Sequence, residues 1–196
     1  MENNFIELKN LDKAKKLLSG IPNGVERAAS SAINRSIVTL KKDLKKKVTT
    51  EYNIKSTEIE KSLNTKKATF SDLTGTIYSK SPTLSLYKFF VSQNSGIYVK
   101  VKKTEGKKLV VGKLGRRGKP FISGMKNGHI GIFQRKYKSN YPIKEYRTLS
   151  IPQMLGTENV MEYIAKNGQA EKLIEERMEK EIDRILKGYL WKKYLN

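Results

Sequence analysis

His129 is the only histidine of the 196-residue chain, and there are no cysteines. Imidazole and thiolate carry much of the nucleophilic, proton-transfer and zinc chemistry available near neutral pH, so such chemistry would have to converge on one position. The neighbours of His129 do not support it. Gly128 and Ile130 offer no ligand atom, whereas a zinc site needs several His, Cys or carboxylate ligands at short spacing. A Ser-His-Asp mechanism would also have to use His129, and no G-x-S-x-G nucleophile elbow occurs. The carboxylates Asp72, Glu105 and Glu145 stand singly among lysines in segments without helical periodicity, which does not define a nuclease metal site. The phosphate-cradling G-x-x-x-x-G-K-[ST] pattern is absent, and the run from Gly112 through Lys113, Arg116 and Arg117 to Gly118 reads as a flexible basic loop. The sequence therefore predicts no catalytic residue, no metal, no cofactor and no small-molecule substrate, and His129 reads as a turn or interface residue.

What remains is charge. The formal net charge is +21, and its distribution is segmental. Residues 100–138 hold thirteen Lys or Arg against the single acid Glu105, a surplus of +12, whereas residues 157–186 hold five basic and eight acidic residues. A dense basic surface faces either nucleic acid, where neutralised phosphates release counterions, or an acidic protein neighbour. The plainer alternative is a set of solvated lysine-rich loops. The candidates are Lys107, Lys108, Lys113, Arg116, Arg117, Lys119, Arg135 and Lys136. Those of residues 107–119 flank glycines, lack nearby acids in sequence and are expected to be exposed, because desolvating unpaired cations is prohibitive. No zinc-finger spacing or RNA-recognition strand signature accompanies them, so contact with nucleic acid would be to backbone charge.

The elements that carry these residues follow from periodicity. Residues 10–18 predict a short helix. Val25, Ala28, Ala29, Ala32, Ile33, Ser36, Ile37, Leu40, Leu44 and Val48 then recur at three- and four-residue steps and predict a longer one. Its first half is lined by small residues, and lysines 41–47 stand in its last turns, where they complement the helix dipole. Thr57 and Glu60 form a T-x-x-E box that predicts a third helix over 57–64. Strands are predicted at 69–78, 84–91, 97–102, 109–111 and 130–133, with glycines 124, 128 and 131 suiting a turn that feeds a strand. Residues 158–166 and then 169 onward return to helical periodicity, with a break at Asn167-Gly168. Beyond Gly188, the residues Tyr189, Leu190, Trp191, Tyr194 and Leu195 are a candidate docking element, on the chain's own core or on a neighbour.

The expected class is α+β: N-terminal helices over 1–66, a central antiparallel β-rich region over 67–150 with long basic loops, and a C-terminal amphipathic helical part over 157–196. Length favours one domain for all 196 residues. At 37% hydrophobic and 30% charged, with ten Tyr and six Phe, the composition is that of a folded protein. The N-terminus has acids and amides where a signal peptide needs a basic start and an apolar run, and no stretch approaches the roughly 20 apolar residues of a membrane span. A soluble, intracellular product without membrane contact is expected.

Several segments resemble, in their order, the minor tail protein Z (tail-completion) family of long-tailed phages and prophages. They are AINRS at 32–36, LSLYKF at 84–89, GIYVKVK at 96–102, GHIGIFQRK at 128–136, PIKEY at 142–146 and SIPQML at 150–155. At 146–149 the chain reads Tyr-Arg-Thr-Leu where the family pattern implies aromatic-glycine-proline. The resemblance implies a structural, non-enzymatic subunit of a phage tail or tail-like particle, made in the host bacterial cytoplasm and acting at the head-proximal end in tail completion and head-tail (neck) joining. It further implies self-association in a ring of six, contact with tail terminator or tube proteins, and nonspecific contact with DNA in the lumen. The rival reading of the charge alone is a basic nucleic-acid-binding protein or a ribonuclease-like toxin.

Overall fold

Small residues decide how the first unit packs. In the computed structural model, which describes residues 11–112, 117–165 and 169–195, the chain divides into two compact units. The first comprises Met1–Leu44, Leu63–Tyr78 and Thr157–Asn196, and the second Lys45–Ser62 and Ser79–Gly156. The first contains α1 (Leu11–Leu18), most of α2 (Gly24–Glu51), the paired strands β1 (Leu63–Lys66) and β2 (Thr76–Ser79, its last residue counted to the second unit), α5 (Glu158–Ala165) and α6 (Gln169–Leu195). Ala28, Ala29 and Ala32 of α2 are fully buried in one cluster with Ala14 and Leu18 of α1 and Met178, Ile182 and Ile185 of α6. Methyl-sized side chains let helix backbones approach closely, so the alanine stripe read from sequence is a packing surface. One turn further on, Ile33 and Ile37 enclose Ala68.

The second unit contains the end of α2, α3 (Ser56–Glu60), a 3-10 turn at Leu86–Lys88, two three-stranded antiparallel sheets and α4 (Ile151–Leu155). One sheet has the order β3 (Phe90–Gln93), β4 (Ile97–Lys100), β5 (Lys108–Leu109). The other has β6 (Arg117–Gly124), β7 (Ile130–Arg135), β8 (Ile143–Glu145). The alternation read in residues 97–100 holds: Ile97 and Val99 are buried, and Tyr98 and Lys100 are half-buried. In β6 the register shifts between Arg117 and Phe121, and Pro120 lies there. An edge strand and a bulge are where the missing proline N–H does least harm.

Three local expectations are corrected. The T-x-x-E box does not cap α3: Lys55, in extended conformation, is the N-cap and gives no side-chain cap bond, so Thr57 falls inside the helix. That helix stops at Glu60, and Leu63–Lys66 pairs as a strand. The predicted strand at 84–91 is an isolated bridge at Ser85, the 3-10 turn and only then β3, because the Ser85 hydroxyl accepts the Tyr87 N–H and closes a turn. The predicted strand at 69–78 is reduced to its last residues; before it Asp72 accepts the Thr74 N–H and Thr69 accepts the Asp72 N–H, local bonds that compete with a ladder.

The glycines of the segment feeding β7 have different reasons. Gly128 has φ +79° in the turn closed by Met125 and His129, and needs glycine's freedom. Gly131 lies within the strand and is needed for room: a Cβ there would stand 2.7 Å from Oε1 of Glu145 and 2.9 Å from the Phe133 ring.

Candidate functional site

The segments singled out in the sequence are joined in space by buried polar bonds. On β7 the Gln134 side chain, 1% exposed, donates to the carbonyl of Gly118 at 2.9 Å and accepts from the Tyr146 hydroxyl at 2.7 Å; that hydroxyl also lies 2.9 Å from the Val111 carbonyl. The run after Tyr146 lies against LSLYKF. Leu86 donates to the Tyr146 carbonyl, Thr148 to that of Leu84 and Leu84 to that of Leu149, so Arg147 bridges Ser85 in an extended pairing. Ser150 then opens α4 with a capping box, its hydroxyl accepting from the Gln153 N–H and the Gln153 side chain accepting from the Ser150 N–H. The S-x-x-Q spacing of residues 150–153 is the sequence signal for this box.

AINRS performs the same kind of work in the first unit. The Asn34 amide donates to the Ala68 carbonyl at 3.0 Å and accepts the Ala68 N–H at 2.8 Å, fastening the segment before β2 to α2. Arg35 reaches Glu181 on α6 at 2.8 Å, and Arg184 holds the other carboxylate oxygen at 2.7 Å. The Glu181 side chain is 1% exposed.

The basic candidates are dispersed. Lys107, Lys108 and Lys119 are exposed, as expected. The expectation that they lack acids fails at Lys108, which pairs with Glu105 at 2.6 Å; Lys102 approaches the same carboxylate at 3.6 Å. The Lys108 hydrogen bond holds Glu105 below the usual carboxylate range. Lys107 stands 5.0 Å over the Phe90 ring, Arg135 4.9 Å over Phe121 and Lys136 5.2 Å over Tyr137, so three cations rest on aromatic faces. Lys113 and Arg116 lie outside the described residues, as does the Arg117 side chain.

A second group of cations, not singled out from sequence, surrounds a cleft of about 360 Å³ in the second unit: Lys61, Lys80, Lys88 and Arg147, with His129 beside them. Its parts are scattered over 86 positions of sequence, which is why no local pattern displayed it. His129 is 2.6 Å from Glu145, which also lies 3.6 Å from Arg147, so the histidine and the arginine share one carboxylate beside the β7–β8 pairing. At the other end of the chain, α6 runs unbroken through Gly188, where a Cβ would meet nothing. Tyr189, Leu190 and Trp191 on its last turns are 43%, 48% and 69% exposed. The side chains of Tyr194 and Leu195 are outside the described residues.

Residues 8–194 match the family described as prophage minor tail protein Z (GPZ). The chain belongs to that family. No curated protein and no solved structure matched it. Membership in the minor tail protein Z family makes the chain a structural component of a phage or prophage tail. Among the described residues no group of three or more His, Asp or Glu could hold a metal ion, and no helix is long and apolar enough to cross a membrane.

In this tail protein the cleft also sets an acid limit. Glu58 is held below its usual value of 4.5 chiefly by the hydrogen bond from Lys88, against the opposing effect of burial and with further help from Lys61. A carboxylate whose folded value is depressed contributes stability above its unfolded value, and that contribution is lost as the pH falls through the folded one. The melting temperature of the second unit is expected to decline as the solution is acidified below about 4.5, and Glu58→Gln to flatten that decline. Parallel titrations of the two proteins by calorimetry check it, and equal slopes would exclude Glu58 as the cause.

Proposed function

We propose that this minor tail protein completes the tail at its head-proximal end and readies it for joining to the head or neck, as a ring of six copies against the tail terminator or tube. The observation that carries the reading is the exposed aromatic end of α6, three large side chains held in solvent on an otherwise well-anchored helix. Large apolar groups left exposed at a helix end are material for a contact surface that a neighbour covers. The opposed charges of residues 100–138 and 157–186 support repetition around an axis, since a head-to-tail interface can pair unlike surfaces and close. The basic residues of positions 107–119 face the lumen and its DNA, or an acidic neighbour.

Reconstruction of particles made with and without the protein tests this. Six copies at the head-proximal end, and unjoined or unfinished tails in their absence, are the expected results. A single copy, a ring of another order, or normal joining without the protein refutes the reading. Tight binding of duplex DNA or RNA by the free chain, falling steeply with salt, would favour the nucleic-acid-binding or ribonuclease-like alternative.

A further inference from the structure

Around the cleft of the second unit, four cations arrive from four places in the chain. Lys61 follows α3, Lys80 follows β2, Lys88 ends the 3-10 turn and Arg147 follows β8. Two carboxylates answer them. Glu58 is shared between Lys88 and Lys61, the latter at 3.3 Å, and Glu145 between Arg147 and His129. The cleft therefore keeps an excess of two positive charges before His129 is counted, and Lys80 has no ion-pair partner among the described residues. The Ser81 hydroxyl, at the wall, accepts the Ile151 N–H and so has its own proton free to donate.

We infer that this cleft is a receptor for an acidic peptide segment of a neighbouring tail subunit, with Lys80 and Arg147 gripping its carboxylates. The inference rests on the reading of the chain as an assembly subunit and names the chemistry of one contact. A guanidinium offers carboxylate a two-pronged partner, and an ammonium with no ion pair to break binds without giving one up. The size and lining favour peptide over nucleic acid. A cleft of about 360 Å³ admits a few side chains and not a duplex, and Pro82 and Leu84 supply apolar wall beside the charges.

The test uses the full chain and a blocked oligoglutamate peptide, with oligoglutamine and a DNA duplex as comparison ligands, by calorimetry at low salt. Oligoglutamate is expected to bind and oligoglutamine not. Lys80→Gln with Arg147→Gln should weaken oligoglutamate about tenfold or more, as expected for losing close charge pairs. The same charge change made away from the cleft, at the exposed Lys13 and Lys16 of α1, should alter it less than about twofold. Both double variants are checked by thermal melting, and the single Lys80→Gln, at an exposed side chain without an ion-pair partner, keeps the test valid should Arg147 prove necessary for folding. Equal losses from the two double variants, no binding of oligoglutamate, or duplex binding abolished by the cleft variant in its place would each overturn the inference. None of these results bears on the ring or its position, which particle reconstruction decides separately.

Discussion

Truncation after Lys187 is expected to abolish incorporation of the protein into tails while moving the melting temperature of the isolated chain by no more than a few degrees. The removed residues are the last turns of α6, whose buried anchors Ile174, Met178, Ile182 and Ile185 all lie before the cut. Tyr189, Leu190 and Trp191 are between 43% and 69% exposed, so their loss uncovers little of the core. Covered by a neighbour, each could contribute roughly 1.5–3 kcal/mol when fully buried, enough together to anchor a contact repeated in every copy. The two readouts, thermal melts and particle imaging, are expected to separate. A large drop in melting temperature would place the segment in the fold of the chain, and normal tails from the truncated protein would remove its part in assembly.

How far the sequence could be read depended on the range of the interactions involved. The helices were legible because α2 and α6 each bury one stripe, and a stripe is written locally at three- and four-residue steps. The β7 strand and its turn were legible for a similar reason, since the glycines punctuate an apolar run. The segment from Leu84 to Phe89 misled because its aromatic and apolar residues have strand propensity, while one local bond, from the Tyr87 N–H to the Ser85 hydroxyl, turns the chain. Thr57 and Ser150 show the same limit for caps: both begin a matching four-residue pattern, and only the extended backbone at Ser150 places its hydroxyl over the first turn. The cleft was illegible because Lys61, Lys80, Lys88 and Arg147 have no common period. The loop lysines were visible as charge, but Lys102 and Lys108 converge on Glu105 through the turn before β5, which composition does not record.

The largest loss of stability is expected from removing both arginines that hold Glu181. Its side chain is 1% exposed, with Arg35 at 2.8 Å on one oxygen and Arg184 at 2.7 Å on the other. The arginines are half or more exposed, so each keeps part of its hydration, whereas the carboxylate depends on them. Arg35→Met with Arg184→Met would leave a buried charge uncompensated, at a cost of about 3–5 kcal/mol. Adding Glu181→Leu should restore most of the stability, since a buried ion group replaced by apolar residues of similar volume is often neutral or better. Denaturant unfolding of the double and triple variants measures both effects. A double variant that loses less than about 1 kcal/mol would show the cluster to behave as an exposed pair, and AINRS would then owe its arginine to something other than holding α2 to α6.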